Sequence, residues 1–181
     1  MTPPRILIAG IGNIFLGDDA FGSEVARRLA ARPIRDGVSV VDFGIRGFDL
    51  TYALLDGHDA TILVDATPRG GTPGTLYLIE PDPGEAREPE DADLLIQTHG
   101  MDPLKVLRLA SALGGQTGRV RLVGCEPATI GTDEDPVMGL SAPVEAAVDE
   151  AIRLIDSLVA EILDKSHDDD MIAAGGTGIG A

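Results

Sequence analysis

Cysteine, aromatic residues and positive charge are all scarce in this chain of 181 residues. The single cysteine, Cys125, excludes an intramolecular disulfide and any metal site built from several cysteines. A lone cysteine is also typical of a protein from a reducing compartment. Four phenylalanines, two tyrosines and no tryptophan leave little material for an aromatic platform that stacks on bases. The core is therefore expected to be aliphatic.

Positive charge is outnumbered by negative charge. Fourteen lysines and arginines stand against thirty acids, which gives a formal net charge of −16. A field of this sign repels phosphate backbones and anionic lipid surfaces, so neither nucleic acid nor a membrane is expected as a partner. No apolar run approaches the roughly 18 residues of a membrane span, and the first residues lack the pattern of a signal peptide. We expect a cytoplasmic monomer.

Strands and helices are predicted to alternate along the chain. Short apolar runs predict five strands, and apolar residues at helical spacing predict four helices. This alternation predicts an α/β fold: a single three-layer domain whose sheet has about five strands, mostly parallel and twisted, with helices on both faces. The domain is expected over residues 1–163, and a disordered acidic, Gly- and Ala-rich tail over residues 164–181. The predicted strands are 5–11, 38–41, 60–64, 75–79 and 120–125; the predicted helices are 20–32, 48–55, 104–113 and a long one capped by Ser141.

Acidic residues follow two of the predicted parallel strands. Asp19 lies between the first strand and its helix, and Asp65 ends the third strand. His99 precedes a helix that Asp102 and Pro103 begin. Because ligands of such folds bind beyond the carboxyl ends of the strands, we expect Asp19, Asp65 and His99 to converge at that edge. Two carboxylates and an imidazole suit a divalent ion such as nickel, zinc or manganese, and the ligand types alone do not choose among these metals.

Each candidate also has a purely structural interpretation. An acid at the start of a helix stabilises the helix N-terminus, and we expect this role for Asp18. Asp65 could instead hydrogen-bond a neighbouring loop, and His99 could be an ordinary loop residue. His58 is expected to be exposed and without a role, and Cys125 to be a small residue of the core.

A dinucleotide-binding site is an alternative function. Gly10 and Gly12 match the start of the G-x-G-x-x-G pattern, and Asp42 ends the second strand, where a ribose-binding acid would lie. However, Phe15 stands at the third glycine position, and two acids follow where a pyrophosphate would approach the helix. Patterns of other enzyme classes, namely GK[ST], HExxH and GxSxG, are absent from the sequence.

The sequence also carries a series of motifs that point to one family. Residues 6–22, ILIAGIGNIFLGDDAFG, resemble the N-terminal signature of the nickel–iron hydrogenase maturation endopeptidases. Further matches follow in the family's order, so that the resemblance covers roughly residues 5–163 and excludes the tail. They are DFGIRG at 42–47, LVDA at 63–66, PGT at 73–75, TH at 98–99, VGCEP at 123–127 and GLS at 139–141.

The resemblance implies an enzyme that removes the C-terminal extension from the hydrogenase large-subunit precursor after nickel insertion. The family's metal-contacting positions fall on Asp19, where some members carry Glu, on Asp65 and on His99. These are the residues that the strand-end argument also selects. The expected activity is that of a nickel-dependent endopeptidase, with nickel supplied by the substrate and other divalent ions able to occupy the site. The alternative from a different class is a non-catalytic metal-handling or assembly module with the same fold.

Overall fold

The chain alternates strands and helices in the predicted order. The computed structural model describes residues 4–81, 102–115 and 118–175, with side chains as far as residue 165. A short 3-10 helix, Asp18–Ala20, precedes the first α-helix. The elements are β1 (Ile6–Ile11), α1 (Phe21–Ala30), β2 (Val38–Gly44), α2 (Gly47–Leu55), β3 (Ala60–Ala66), β4 (Leu76–Ile79), α3 (Pro103–Ala112), β5 (Arg119–Cys125) and α4 (Ala142–Gly175).

The five strands form one mixed sheet in the order β2-β1-β3-β5-β4. Strand β1 pairs in parallel with both β2 and β3, and β3 pairs in parallel with β5. Only the edge strand β4 is antiparallel, to β5. The mostly parallel sheet is therefore confirmed. The carboxyl ends of its four parallel strands lie at one edge, where the candidate residues are expected.

Helices cover both faces of the sheet and create two apolar cores. Successive residues of β1 alternate between them, with Ile6 and Ile8 on one face and Leu7 and Ala9 on the other. The first core is completed by α1 and α4, and the second by α2 and α3. A strand buried on both faces must be apolar at every position, which explains the continuous apolar run. The predicted three-layer arrangement is confirmed.

Two glycines allow α1 to lie directly on the sheet. A Cβ on Gly22 would come within 2.0 Å of the Val64 carbonyl oxygen and 2.3 Å of the Ile11 carbonyl oxygen. A Cβ on Gly10 would lie 2.4 Å from the Gly22 carbonyl oxygen. The glycine that opens the apparent dinucleotide motif therefore serves helix–sheet packing. This close approach sets the segment before α1 over the carboxyl edge of the sheet.

The long helix α4 packs through the apolar stripe that its sequence predicts, from Val144 to Ile162. Its backbone stays helical to Gly175, which is also the first glycine after its start. The domain boundary at residue 163 and the disorder of the tail stay predictions. Among the described residues, no helix is long and apolar enough to cross a membrane.

Candidate functional site

Asp19 and Asp65 lie at the carboxyl edge of the sheet, close enough to influence each other electrostatically. Asp65 is the penultimate residue of β3 and is 8% exposed. Burial raises the pKa of Asp65 well above its ordinary value, and the negative charges of Asp19 and Asp102 raise it further. A hydrogen bond from the Ala66 backbone acts in the opposite direction but does not cancel this increase. A buried carboxyl beside a second carboxylate favours either a proton or a cation.

The orientation of Asp19 is fixed by the loop that follows β1. The backbone N–H of Asn13 donates to Oδ2 of Asp19 at 2.7 Å. A Cβ on Gly12 would lie 1.8 Å from the Asp19 carbonyl oxygen, so this approach requires glycine there. The loop is thus folded tightly against the segment that carries the candidate ligand.

His99 lies outside the described residues, so the structure shows two of the three predicted ligands. The described chain resumes at Asp102, whose carboxylate accepts from the Leu104 N–H at 2.9 Å and caps α3, as predicted. The charge of Asp102 contributes to the raised pKa of Asp65, which places the start of α3 near the two acids. Within the ranges that the structure describes, no group of three or more His, Cys, Asp or Glu residues is arranged to hold a metal.

Asp18 does not cap the helix that follows it, and that prediction is wrong. Its side chain is fully buried and accepts hydrogen bonds from the backbone N–H groups of Ala128 and Thr129, both at 2.8 Å. The backbone N–H and the hydroxyl of Ser141 donate to the same carboxylate at 2.6 and 2.8 Å. Burial alone would raise the pKa of Asp18, but these four donors together lower it. The buried charge is stable because every contact is a donor.

Asp18 thereby ties the segment before α1 to the chain between β5 and α4. Backbone bonds join the same pieces: the Gly17 N–H donates to the Val137 carbonyl at 2.7 Å and the Asp18 N–H to the Thr129 carbonyl at 3.0 Å. The partners of Asp18 lie 110–123 positions away in sequence. No local pattern shows which of two adjacent acids turns inward, so sequence reasoning could not find this role.

A cleft of about 300 Å³ opens between the ends of β1 and β2, and its lining includes Asn13, whose N–H donates to Asp19. On its floor, Oδ1 of Asp42 accepts from the Ser23 hydroxyl at 2.8 Å and from the Gly44 N–H at 2.9 Å. Arg46 donates to the Asp42 carbonyl oxygen at 2.5 Å and to the Phe43 carbonyl oxygen at 3.1 Å. Asp42, considered above as a ribose ligand, thus holds the turn after β2. The lining residues are Gly12, Asn13, Ile14, Phe15, Ser23, Asp42, Phe43, Gly44, Ile45 and Arg46.

Glu126 is a third buried acid, and sequence reasoning did not single it out. It is 4% exposed, and its carboxylate accepts from the backbone N–H groups of Arg69 and Gly70 at 2.9 and 3.0 Å and from the Tyr77 hydroxyl at 2.7 Å. Burial acts to raise the pKa of Glu126, but the Tyr77 hydroxyl and the backbone N–H groups lower it overall. Glu126 therefore holds the loop that follows Asp65. Its place directly after β5, in the VGCEP motif, was the available signal.

Two further side chains lack the features of an active site. Cys125 is fully buried, and burial raises the pKa of its thiol to about 12, so its prediction as a core residue is confirmed. His58 is half-buried, so the prediction that it is exposed is wrong. Its Nδ1 is enclosed by the protein. Burial lowers the pKa of His58, and the charge of Arg5 lowers it further. His58 precedes β3 and so lies at the opposite end of that strand from Asp65.

Comparison with known sequences points to one group of proteins. The family model for hydrogenase maturation protease matches residues 23–158. The hydrogenase expression/formation protein HupD of Rhizobium leguminosarum bv. viciae is 33% identical over 159 residues, covering 85% of this chain and 75% of that protein. The hydrogenase 2 maturation protease of Escherichia coli is 28% identical over 159 residues, covering 87% and 92%.

Comparison of structures agrees with the comparison of sequences. The hydrogenase maturating endopeptidase HybD from Escherichia coli superposes with a TM-score of 0.67 at 27% identity, over 87% of this chain and 93% of that chain. The [NiFe] hydrogenase maturation protease HycI from Thermococcus kodakarensis KOD1 gives a TM-score of 0.60 at 29% identity, over 90% and 94%. The similarity extends over nearly the whole length of both structures.

Proposed function

Because the chain belongs to the hydrogenase maturation protease family and is a hydrogenase maturation endopeptidase, we propose that it cleaves with Asp19, Asp65 and His99 as its metal-contacting residues. The substrate is the precursor of a hydrogenase large subunit, from which the enzyme removes the C-terminal extension. The observation that carries the proposal is the pairing of two acids at the carboxyl edge of the sheet, where the charge of Asp19 raises the pKa of Asp65.

The two acids fit a divalent cation. A buried Asp65 beside a second carboxylate is repelled by its neighbour when both are ionised, and a shared cation removes that repulsion. Carboxylate and imidazole ligands suit nickel among other divalent metals. In the proposal the nickel ion arrives as part of the substrate.

The position of His99 in the sequence supports its part in this set. It lies three residues before Asp102, the cap of α3, and the charge of Asp102 acts on Asp65. Three residues of extended chain span at most about 11 Å. This short spacing in the sequence supports the proposal of His99 as the third ligand.

Each residue of the site has a distinct role in the proposed peptide hydrolysis. Asn13 holds one oxygen of Asp19 through its backbone N–H and so fixes how that carboxylate faces the substrate. A metal held by such ligands supplies polarisation of the scissile carbonyl or of a water molecule. One of the two carboxylates accepts the proton of the attacking water. Three protein ligands leave an open coordination position for the substrate. In the proposal they hold the ion only weakly by themselves, so cleavage depends on a substrate that brings its own ion.

Alanine variants of the three residues test the assignment. Asp19→Ala, Asp65→Ala and His99→Ala are incubated with nickel-loaded precursor, and the products are weighed by mass spectrometry. Asp36→Ala removes an exposed acid in the turn before β2 and is the matched control. We expect the control to cleave like the wild type, while the three site variants keep their circular dichroism spectra and leave the precursor intact.

Near wild-type cleavage by Asp65→Ala or His99→Ala contradicts the site assignment. The alternative of a non-catalytic metal-handling module makes a different prediction, since the wild-type protein itself would then leave the precursor at full length. The two outcomes are separate, because the first concerns the variants and the second the wild type.

A further inference from the structure

Large apolar side chains are exposed in an unusual concentration next to the candidate site. Eleven large hydrophobic residues are exposed in the described part of the chain, and five of these lie in the loop after β1 and in the segment from Ile45 through α2. Single exposed apolar residues are common, but a contiguous set usually marks a binding surface. The five are Ile14, Phe15, Ile45, Phe48 and Tyr52, and together they are called the apolar rim.

The apolar rim begins at the cleft between the ends of β1 and β2. Ile14, Phe15 and Ile45 line this cleft and are 51%, 55% and 59% exposed. Asn13, which binds the Asp19 carboxylate through its N–H, lines the same cleft. The Asn13 backbone therefore links the cleft to one of the two acids.

Helix α2 continues the rim away from the cleft. Phe48 and Tyr52 are four residues apart, on one face of the helix, and are 65% and 66% exposed. The opposite face of α2 packs against the sheet, where Leu50 and Leu54 are buried in the second core. Among the described residues neither aromatic ring belongs to one of the two cores, and aromatic residues are enriched where proteins bind one another.

Charge indicates what kind of segment the rim would accept. Asp42 and Arg46 both line the cleft, and Arg46 pairs with Asp49 of α2 at 3.2 Å. These two acids and one arginine together carry one net negative charge, within a chain of net charge −16. Such a surface attracts cationic segments and repels anionic ones. An apolar stretch with basic neighbours matches both properties of the rim.

We propose that the apolar rim is a docking surface for the hydrogenase large-subunit precursor, and that it binds a precursor segment whose apolar side chains are flanked by lysine or arginine. This inference rests on the proposed function, because it takes the substrate from there. The cleft receives the part of the segment next to the scissile bond, and the α2 face binds the part farther away. The rim therefore contributes to substrate affinity and leaves the chemical step to the acids.

Two double variants test the rim without touching the acids. Phe48→Ser with Tyr52→Ser alters the α2 face, and Ile34→Ser with Leu113→Ser is the control, since both of its residues are exposed and lie outside the rim. Cleavage of nickel-loaded precursor is followed over a range of precursor concentrations. We expect the α2 variant to raise KM by at least about tenfold with kcat within about twofold of the wild type, as for residues central to an interface. The control should match the wild type in both constants.

Direct binding separates this inference from the proposed function. The affinity for the precursor is measured by biolayer interferometry, with Asp65→Asn added to every protein so that the precursor stays intact. Weaker binding by the α2 variant supports the rim even if the wild type fails to cleave, which would overturn only the proposed function. Equal binding by the α2 variant and the control overturns the rim. A wild-type dimer that the α2 substitutions dissociate in sedimentation experiments also overturns it, because the occupant is then a second copy of this chain.

Discussion

Asp18 and Ser141 are 123 positions apart in the sequence and are joined by two hydrogen bonds. The backbone N–H of Ser141 donates to Oδ1 of Asp18 at 2.6 Å, and the Ser141 hydroxyl donates to Oδ2 at 2.8 Å. Ser141 directly precedes α4, so the carboxylate also lies at the positive end of that helix. Since Asp19 is the next residue along the chain, the Asp18–Ser141 pair anchors one candidate ligand to the longest helix of the fold.

Replacing Asp18 by alanine should destabilise the protein strongly. Three part-buried backbone N–H groups and one hydroxyl lose their acceptor. Each unsatisfied group costs about 1–3 kcal/mol, and water entering the site offsets part of this. We expect a total loss of about 2–4 kcal/mol, which corresponds to roughly 4–16 °C in the midpoint of thermal unfolding for a domain of this size. A drop of about 1 kcal/mol or less, the value of an exposed helix cap, would argue against the buried anchor.

The carboxylate of Asp18 should also make the stability of the protein depend on pH. The hydrogen bonds lower the pKa of Asp18 in the folded protein. Its contribution is therefore fully present above the ordinary pKa of an aspartate and is lost as the pH falls through the folded value. Urea unfolding of the wild type and of Asp18→Asn should show the largest difference near neutral pH and a shrinking difference below about pH 4. A difference that stays constant with pH would show that the charge of Asp18 contributes nothing.

The contribution of Asp65 to stability should depend on pH in the opposite direction from that of Asp18. Its pKa is raised in the folded protein by burial and by the charge of Asp19, so its contribution is fully present below the ordinary pKa and is lost as the pH rises through the folded value. Asp65→Asn keeps the shape and removes the charge. We expect the metal-free variant to melt a few degrees above the wild type near neutral pH, with the gain vanishing in acid, while precursor cleavage is lost. A variant that melts below the wild type at neutral pH would show that no repulsion was relieved.

Glu126 should matter for the loop that follows Asp65. Glu126→Ala leaves the backbone N–H groups of Arg69 and Gly70 and the Tyr77 hydroxyl without their acceptor. Tyr77→Phe removes only one of these bonds and leaves the carboxylate bound to the backbone. We expect the midpoint of thermal unfolding to fall clearly more for Glu126→Ala than for Tyr77→Phe. Equal midpoints in the two variants would show that the backbone bonds to Glu126 carry no stability.

The fold was largely predictable, because burial on both faces leaves a direct trace in the sequence. The β1 and β3 strands are buried at every position; β1 is apolar throughout, and β3 is apolar except at Thr61 and Asp65. The stripe of α4 follows helical spacing and faces the first core. The antiparallel direction of β4 left no such trace, since its short apolar segment, LYLI, gives no indication of strand direction.

The candidate site was predictable only in part. Asp19 and Asp65 follow parallel strands, and the strand-end rule was enough to bring them to one edge. The role of Asp18 was not accessible, because a buried acid is distinguished from an exposed one by donors far away in sequence. For Glu126 the available signal was its position directly after β5, although its donors also lie far away in sequence. The assignment of His99 as a ligand stays a prediction, since the residue lies outside the described part of the chain.

Cleavage that depends on the metal content of the precursor tests the central claim most directly. Wild-type enzyme is incubated with nickel-loaded and with nickel-free precursor, in buffer stripped of divalent ions, and the products are weighed by mass spectrometry. Asp19 and Asp65 with His99 supply ligands without closing a metal site, so we expect the nickel-loaded precursor to lose its C-terminal extension and the nickel-free precursor to stay at full length even at high enzyme concentration. Efficient cleavage of the nickel-free precursor would contradict an enzyme whose metal is carried by its substrate.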